Sequence, residues 1–127
     1  MANQNGYSVS IKNSSTELTP REKLMVKDTT DAIKLDAATE KEALVIHPVA
    51  YVELAIHNEK SQDKDYANYV ILDKDGNKYV TGSKSFYEAF INIFDEMSDS
   101  DEDYAIKVYR VPSKNYSGKS FITCSII

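Results

Sequence analysis

The stretch YVILDKDGNKYVT, Tyr69 to Thr81, decides how the chain is read. Two runs rich in β-branched and aromatic residues flank Asp75-Gly76, a dipeptide that tolerates the positive φ angles of tight hairpin turns. The pattern predicts strands over residues 69–72 and 78–81 joined by KDGN. Upstream, LVIHPVAYVELAIH (44–57) is β-branched. In its second half Val52, Leu54 and Ile56 share one face while Tyr51, Glu53, Ala55 and His57 share the other, the pattern of a half-buried strand. YSVSIK (7–12) alternates in the same way, with Tyr7, Val9 and Ile11 together. Between them, residues 13–43 are ambiguous. Thr19-Pro20 with an acid two residues later has the form of a helix start, but MVKDTT breaks the helical apolar spacing. Residues 1–43 are therefore expected to be the less regular part, with a second strand at 23–28 and a helical turn around 35–41.

Downstream, Phe86, Phe90, Ile93, Phe94 and Met97 recur at i, i+4, i+7, i+8 and i+11, the stripe of an amphipathic helix over residues 85–97. Ser85 with Glu88 three residues later has the form of a capping box. The helix is expected to stop in the acidic loop 95–103. Residues 104–111 and 120–127 then alternate as strands joined by PSKNYSGK. The expected fold is mainly β with one helix, a single domain spanning residues 1–127.

Composition agrees with one domain: 127 residues, 42% hydrophobic and 28% charged, with three prolines and four glycines. Apolar runs reach only about five residues against the roughly 20 of a membrane span, so a soluble chain with no membrane partner is expected. The start, MANQNGYSVSIK, has no basic segment followed by an apolar one, and the single cysteine, Cys124, leaves no disulfide framework; both fit a cytoplasmic protein.

Charge is unevenly placed. The net charge is −5, yet DEMSDSDED (95–103) holds six carboxylates and no cation, and the other 118 residues carry 15 basic and 14 acidic side chains. From Tyr104 onward there are four cations, Lys107, Arg110, Lys114 and Lys119, and no acid. An acidic total therefore does not exclude an anionic partner.

Catalytic signatures are absent from the sequence. Asp73-Lys74-Asp75-Gly76-Asn77 resembles the front of a calcium loop, but an EF-hand needs glycine at position six and glutamate at twelve; here glycine stands at four and Lys84 at twelve. His47 and His57 are ten residues apart with no cysteine cluster, which argues against zinc. Cys124 sits in the apolar run FITCSII, where a small buried filler is expected rather than a nucleophile. GxSxG, a phosphate-cradling glycine loop and HExxH are missing. No enzymatic activity and no cofactor are expected.

The C-terminal hairpin is the chemically distinctive part. If Ile106 and Val108 face the core, Lys107 and Tyr109 face out, and across the turn Ile122, Cys124 and Ile126 face in while Phe121 and Thr123 face out. Cations and aromatics on one surface suit single-stranded nucleic acid, whose phosphates need positive charge and whose unstacked bases need aromatic faces. The same parity puts Tyr51, His57 and Tyr69 outward. The candidate nucleic-acid-binding set is thus Tyr51, His57, Tyr69, Lys107, Tyr109, Arg110, Lys114, Tyr116, Lys119 and Phe121.

Strands with one helix inserted before the last hairpin resemble the OB-fold, a five-stranded barrel that binds oligonucleotides. NYVILDKDGNKYVTGSKSFYEAF (68–90) and IKVYRVPSKNYSGKSFITCSI (106–126) also resemble small single-stranded DNA-binding proteins of phages and conjugative plasmids of Gram-positive bacteria. In these a glycine-containing hairpin, a TGS-then-aromatic helix start and a PSKN-like loop recur. The resemblance covers roughly residues 51 to 127. It implies a largely sequence-independent single-stranded DNA-binding protein serving replication, recombination or transfer of a mobile element, with RNA left open as a ligand and a homo-oligomer left open as a state. Housekeeping bacterial single-strand binders end in an acidic tail that recruits other proteins. This chain ends in FITCSII, which leaves the run 95–103 as the segment available to contact other replication proteins. Two readings of other classes stand beside it: an acidic DNA-mimic inhibitor, favoured by the six clustered acids and opposed by the basic hairpin, and a protein-interaction module using an exposed strand edge.

Overall fold

The computed structural model describes residues 6–112 and 120–127. Its elements are β1 (Tyr7–Ser14), α1 (Pro20–Lys27), β2 (Ile33–Lys34), α2 (Leu35–Ala38), β3 (Leu44–Ile46), β4 (Pro48–Asn58), β5 (Asp65–Asp73), β6 (Lys78–Thr81), α3 (Lys84–Met97), β7 (Ile106–Pro112) and β8 (Ser120–Ile126). Among the described residues the fold is mainly β, with three helices where the sequence predicts one helix and a helical turn. The strands pair as two sheets, one in the order β1-β4-β5-β6-β2 and one in the order β3-β7-β8.

The hairpin expected at 69–81 forms, with Tyr69 opposite Thr81 and Leu72 opposite Lys78. Asp73 organises its turn. Its Oδ1 accepts the backbone N–H groups of Asp75 (3.0 Å) and Asn77 (2.8 Å), and its Oδ2 accepts Asn77 Nδ2 (3.1 Å) and the Tyr79 hydroxyl (3.0 Å). Gly76 sits at φ +86°, the left-handed region where a side chain would be strained.

Residues group into two compact units interleaved in sequence: Met1–Ile33 with Val49–Gly82, and Lys34–Pro48 with Ser83–Ile127. In the first, Val26, Ala32, Val52, Leu54, Ile56, Val70 and Val80 form the core, with Val9, Ile11, Leu18 and Leu72 packed against it. The alternation expected for β1 and the second half of β4 supplies five of these positions, Val9, Ile11, Val52, Leu54 and Ile56, and each fully buried aliphatic stabilises by about 1.5–3 kcal/mol.

The strand expected at 23–28 is instead the second half of α1. Thr19 Oγ1 accepts the Glu22 N–H (3.2 Å) and Glu22 Oε1 accepts the Thr19 N–H (2.9 Å), so a reciprocal cap starts the helix, with Pro20 in its first turn. At the other end Lys78 Nζ donates to the carbonyls of Met25 (2.8 Å) and Asp28 (2.6 Å). Val26 is buried, but Leu24 and Met25 are exposed, so the apolar pattern in MVKDTT carries no helical period. The turn expected near 35–41 is present as α2.

The continuous strand expected over 44–57 is broken at His47. β3 pairs with β7, whereas β4 begins at Pro48 and pairs with β1 and β5, so the chain changes sheets there. Proline supplies no N–H to a ladder, which makes Pro48 a natural place for the change.

In the second unit Leu35, Ile46, Phe86, Phe90, Ile106, Val108, Ile122 and Cys124 are buried. α3 packs along β8, and its phenylalanine stripe is continuous, with ring centroids 5.8 Å apart for Phe86 and Phe90 and 5.5 Å for Phe90 and Phe94. The helix cap is Ser83, two residues before the serine singled out in the sequence: its Oγ accepts the Phe86 N–H at 3.2 Å. Ser85 instead donates its hydroxyl to the Ile122 carbonyl (2.9 Å), tying α3 to β8. The helix ends at Met97, inside the acidic run as expected. Among the described residues, no helix is long and apolar enough to cross a membrane.

Candidate nucleic-acid interface

β7 and β8 pair without a bulge from Ile106 opposite Ile126 to Pro112 opposite Ser120. This register sorts the side chains by parity. Ile106, Val108, Ile122 and Cys124 turn into the core, each at most 6% exposed. Lys107, Tyr109, Val111, Phe121, Thr123 and Ser125 share the outward face. Three of the sequence-predicted residues are therefore brought together, Lys107, Tyr109 and Phe121. One detail differs: Phe121 lies opposite Val111, and Thr123 lies opposite Tyr109. The two rings are thus diagonal neighbours, for which about 7–8 Å between positions is usual.

Tyr109 is half-buried. Its hydroxyl is hydrogen-bonded to Ser125 Oγ at 2.8 Å, and Lys107 Nζ stands 5.8 Å from its ring centroid, a cation–π arrangement. Phe121 is 42% exposed. β3 extends the face, because Val45, exposed and opposite Lys107, adds an apolar position that the sequence reading missed. The alternation Leu44-Val45-Ile46 carries the signal, masked because the β-branched run continues past His47 into β4.

Arg110 does not join this face. It lies opposite Ile122, so its side chain takes the other parity, where the guanidinium donates to Ser120 Oγ (3.0 Å) and to the Asp36 carbonyl at the start of α2. An arginine expected to meet phosphate is a structural clamp. Lys114, Tyr116 and Lys119 lie outside the described residues.

The remaining candidates belong to the first unit. Tyr51 and Tyr69 were expected to face outward, but they are only 8% and 6% exposed. Their strands are buried on both faces at that level, as Ala50-Tyr51-Val52 and Tyr69-Val70-Ile71 show. Alternation reports an outward face only where one side of a sheet is wet. His57 is partly exposed on the polar parity of β4, with Nδ1 2.7 Å from Asp65 Oδ1 and Nε2 against Glu59, which also pairs with Lys64 at 3.4 Å. Hydrogen bonds to Asp65 and then Glu59 hold the imidazole pKa above its ordinary value. Both ring nitrogens are thus engaged by carboxylates of this chain.

All six carboxylates of the run 95–103 belong to exposed residues. Cys124 is the reverse case, a buried thiol whose pKa burial pushes up to about 12, keeping it protonated. Among the described residues no three His, Cys, Asp or Glu side chains converge on a point that could hold a metal ion. No family model matches the chain, and neither a curated protein nor a solved structure matches it.

Proposed function

We propose that this chain binds single-stranded DNA, largely without regard to sequence, through the outward face of β3, β7 and β8. The observation that carries the reading is the Lys107–Tyr109 pair beside the exposed ring of Phe121. A base that stacks on Tyr109 must displace the ammonium from the ring. Stacking of a base on an aromatic side chain contributes about 1–3 kcal/mol, more than the about 0.5–1 kcal/mol of an exposed cation–π contact. The released ammonium is then free to meet the phosphate of the same nucleotide, so the exchange favours the bound state. With the resemblance of residues 51–127, this reading puts the protein in the replication, recombination or transfer of a phage or plasmid, in the cytoplasm, on an OB-type barrel.

The test is affinity for a labelled oligothymidine. Tyr109→Ala should weaken binding by about 1–3 kcal/mol, and Tyr109→Phe, which loses only the Ser125 hydrogen bond, should bind nearly as wild type does. Lys107→Ala should lower the magnitude of the salt slope by about 0.7, the value for one phosphate of a single strand. A folded Tyr109→Ala protein with wild-type affinity overturns the reading. The exposed carboxylates of 95–103 favour a second one, a DNA-mimic inhibitor, which would neither shift oligothymidine nor be retained on heparin.

A further inference from the structure

Among the described residues the two sheets have four edge strands, and three of them carry features that discourage pairing with another chain. β1 is bulged between Ile11 and Asn13 and bears Lys12; β2 has two residues and β3 has three. β8 is different. It has seven residues, SFITCSI, with no charge, no proline and no bulge, and it is the terminal strand of its sheet. Its open side can be identified from one hydrogen bond. The Ile127 N–H donates to the Ala105 carbonyl opposite it (3.0 Å), so by antiparallel alternation Ser125, Thr123 and Phe121 bond to β7, while the backbone groups of Ile126, Cys124 and Ile122 point to the edge. Ser85 donates to the Ile122 carbonyl, in keeping with that direction, and the second lone pair of this carbonyl can still accept a further N–H, alongside the edge-facing groups of Cys124 and Ile126.

We infer that a second copy of this chain pairs with β8 edge to edge, antiparallel, about a two-fold axis at Cys124. Two observations select the second copy and this register. The strand is uncharged, so self-pairing brings no like charges together. Beyond that, Phe121, Ile126 and Ile127 are 42%, 46% and 62% exposed, and an axis at Cys124 sets Phe121 opposite the partner's Ile127 and Ile126 opposite the partner's Ile122. Each exposed apolar side chain gains an apolar neighbour. Odd positions meet odd positions, so the two outward faces join into one six-stranded surface. The pairing itself is independent of what that surface binds.

The full chain, without nucleic acid, is examined by sedimentation equilibrium and by amide hydrogen exchange at low and high protein concentration. The mass should rise from one chain to two, and Ile127→Lys, at an exposed position, should raise the dissociation constant at least about tenfold. The amides of Cys124 and Ile126 should exchange about tenfold more slowly as the dimer fills, while those of Thr123 and Ser125, bonded within the sheet, should not change. A monomer at every concentration overturns the inference. So does a dimer in which the Cys124 and Ile126 amides exchange at the same rate throughout. Loss of oligothymidine binding would bear on the proposed function and leave this result untouched.

Discussion

Burial by itself raises the pKa of the Asp73 carboxyl, and the hydrogen bonds from Asn77, Tyr79 and Asp75 more than reverse it, so the group titrates below the ordinary aspartate value. His57 is displaced the other way by its bonds to Asp65 and Glu59. The two shifts act on opposite limbs of the stability profile. Asp73 contributes stability that is present above the ordinary aspartate pKa and is lost as pH falls through its lower native value. His57 contributes stability that is complete below the ordinary imidazole pKa and is lost as pH rises through its higher native value. Denaturation midpoints measured across pH should therefore fall at both ends. Asp73→Asn should flatten the acid limb and His57→Gln the neutral-to-alkaline one. Unaltered limbs in these variants would mean that neither network is coupled to folding.

The helices show why some elements were legible and others were not. α3 announces itself because its stability comes from an apolar stripe, and Phe90 is fully buried at its centre. Phe90→Ala should cost about 3–5 kcal/mol, as truncation of a buried aromatic does; an unchanged denaturant midpoint would place the ring outside the core. α1 lacks such a stripe, with one buried residue in eight. Its determinants are the Thr19–Glu22 cap and the carbonyls held by Lys78, which lies 53 positions from Met25 and 50 from Asp28. A local periodicity cannot report a lysine arriving from β6. Strands divided along the same line. The Asp75-Gly76 hairpin and the alternation of β7 and β8 are local properties and were legible, and with them the grouping of Lys107, Tyr109 and Phe121, except that Ile126, expected to face in, is 46% exposed at the end of its strand. Burial of Tyr51 and Tyr69 depends on what covers the second face of a sheet, and Arg110 is claimed by the Asp36 carbonyl of α2; neither fact is written in the strand that carries the residue.

At the scale of the whole chain, the backbone passes between the two units three times, after Ile33, Pro48 and Gly82. Composition gave no hint of this, because neither unit is a continuous segment and no linker marks a boundary. A chain truncated after Gly82 should keep the β5–β6 hairpin and lose the structure of residues 34–48, since β3 has its recorded pairing with β7. Limited proteolysis should then cut within 34–48 and spare β5 and β6; resistance of both regions would show that β3 holds its place without β7. The same connectivity has a temporal side. A ribosome releases Leu44 about 60 residues before Val108, the residue it must face. Throughout that interval the nascent chain carries an apolar strand, Leu44 to Ile46, with its intended neighbour still unmade, and the hairpin that closes the second unit leaves the exit tunnel well after it.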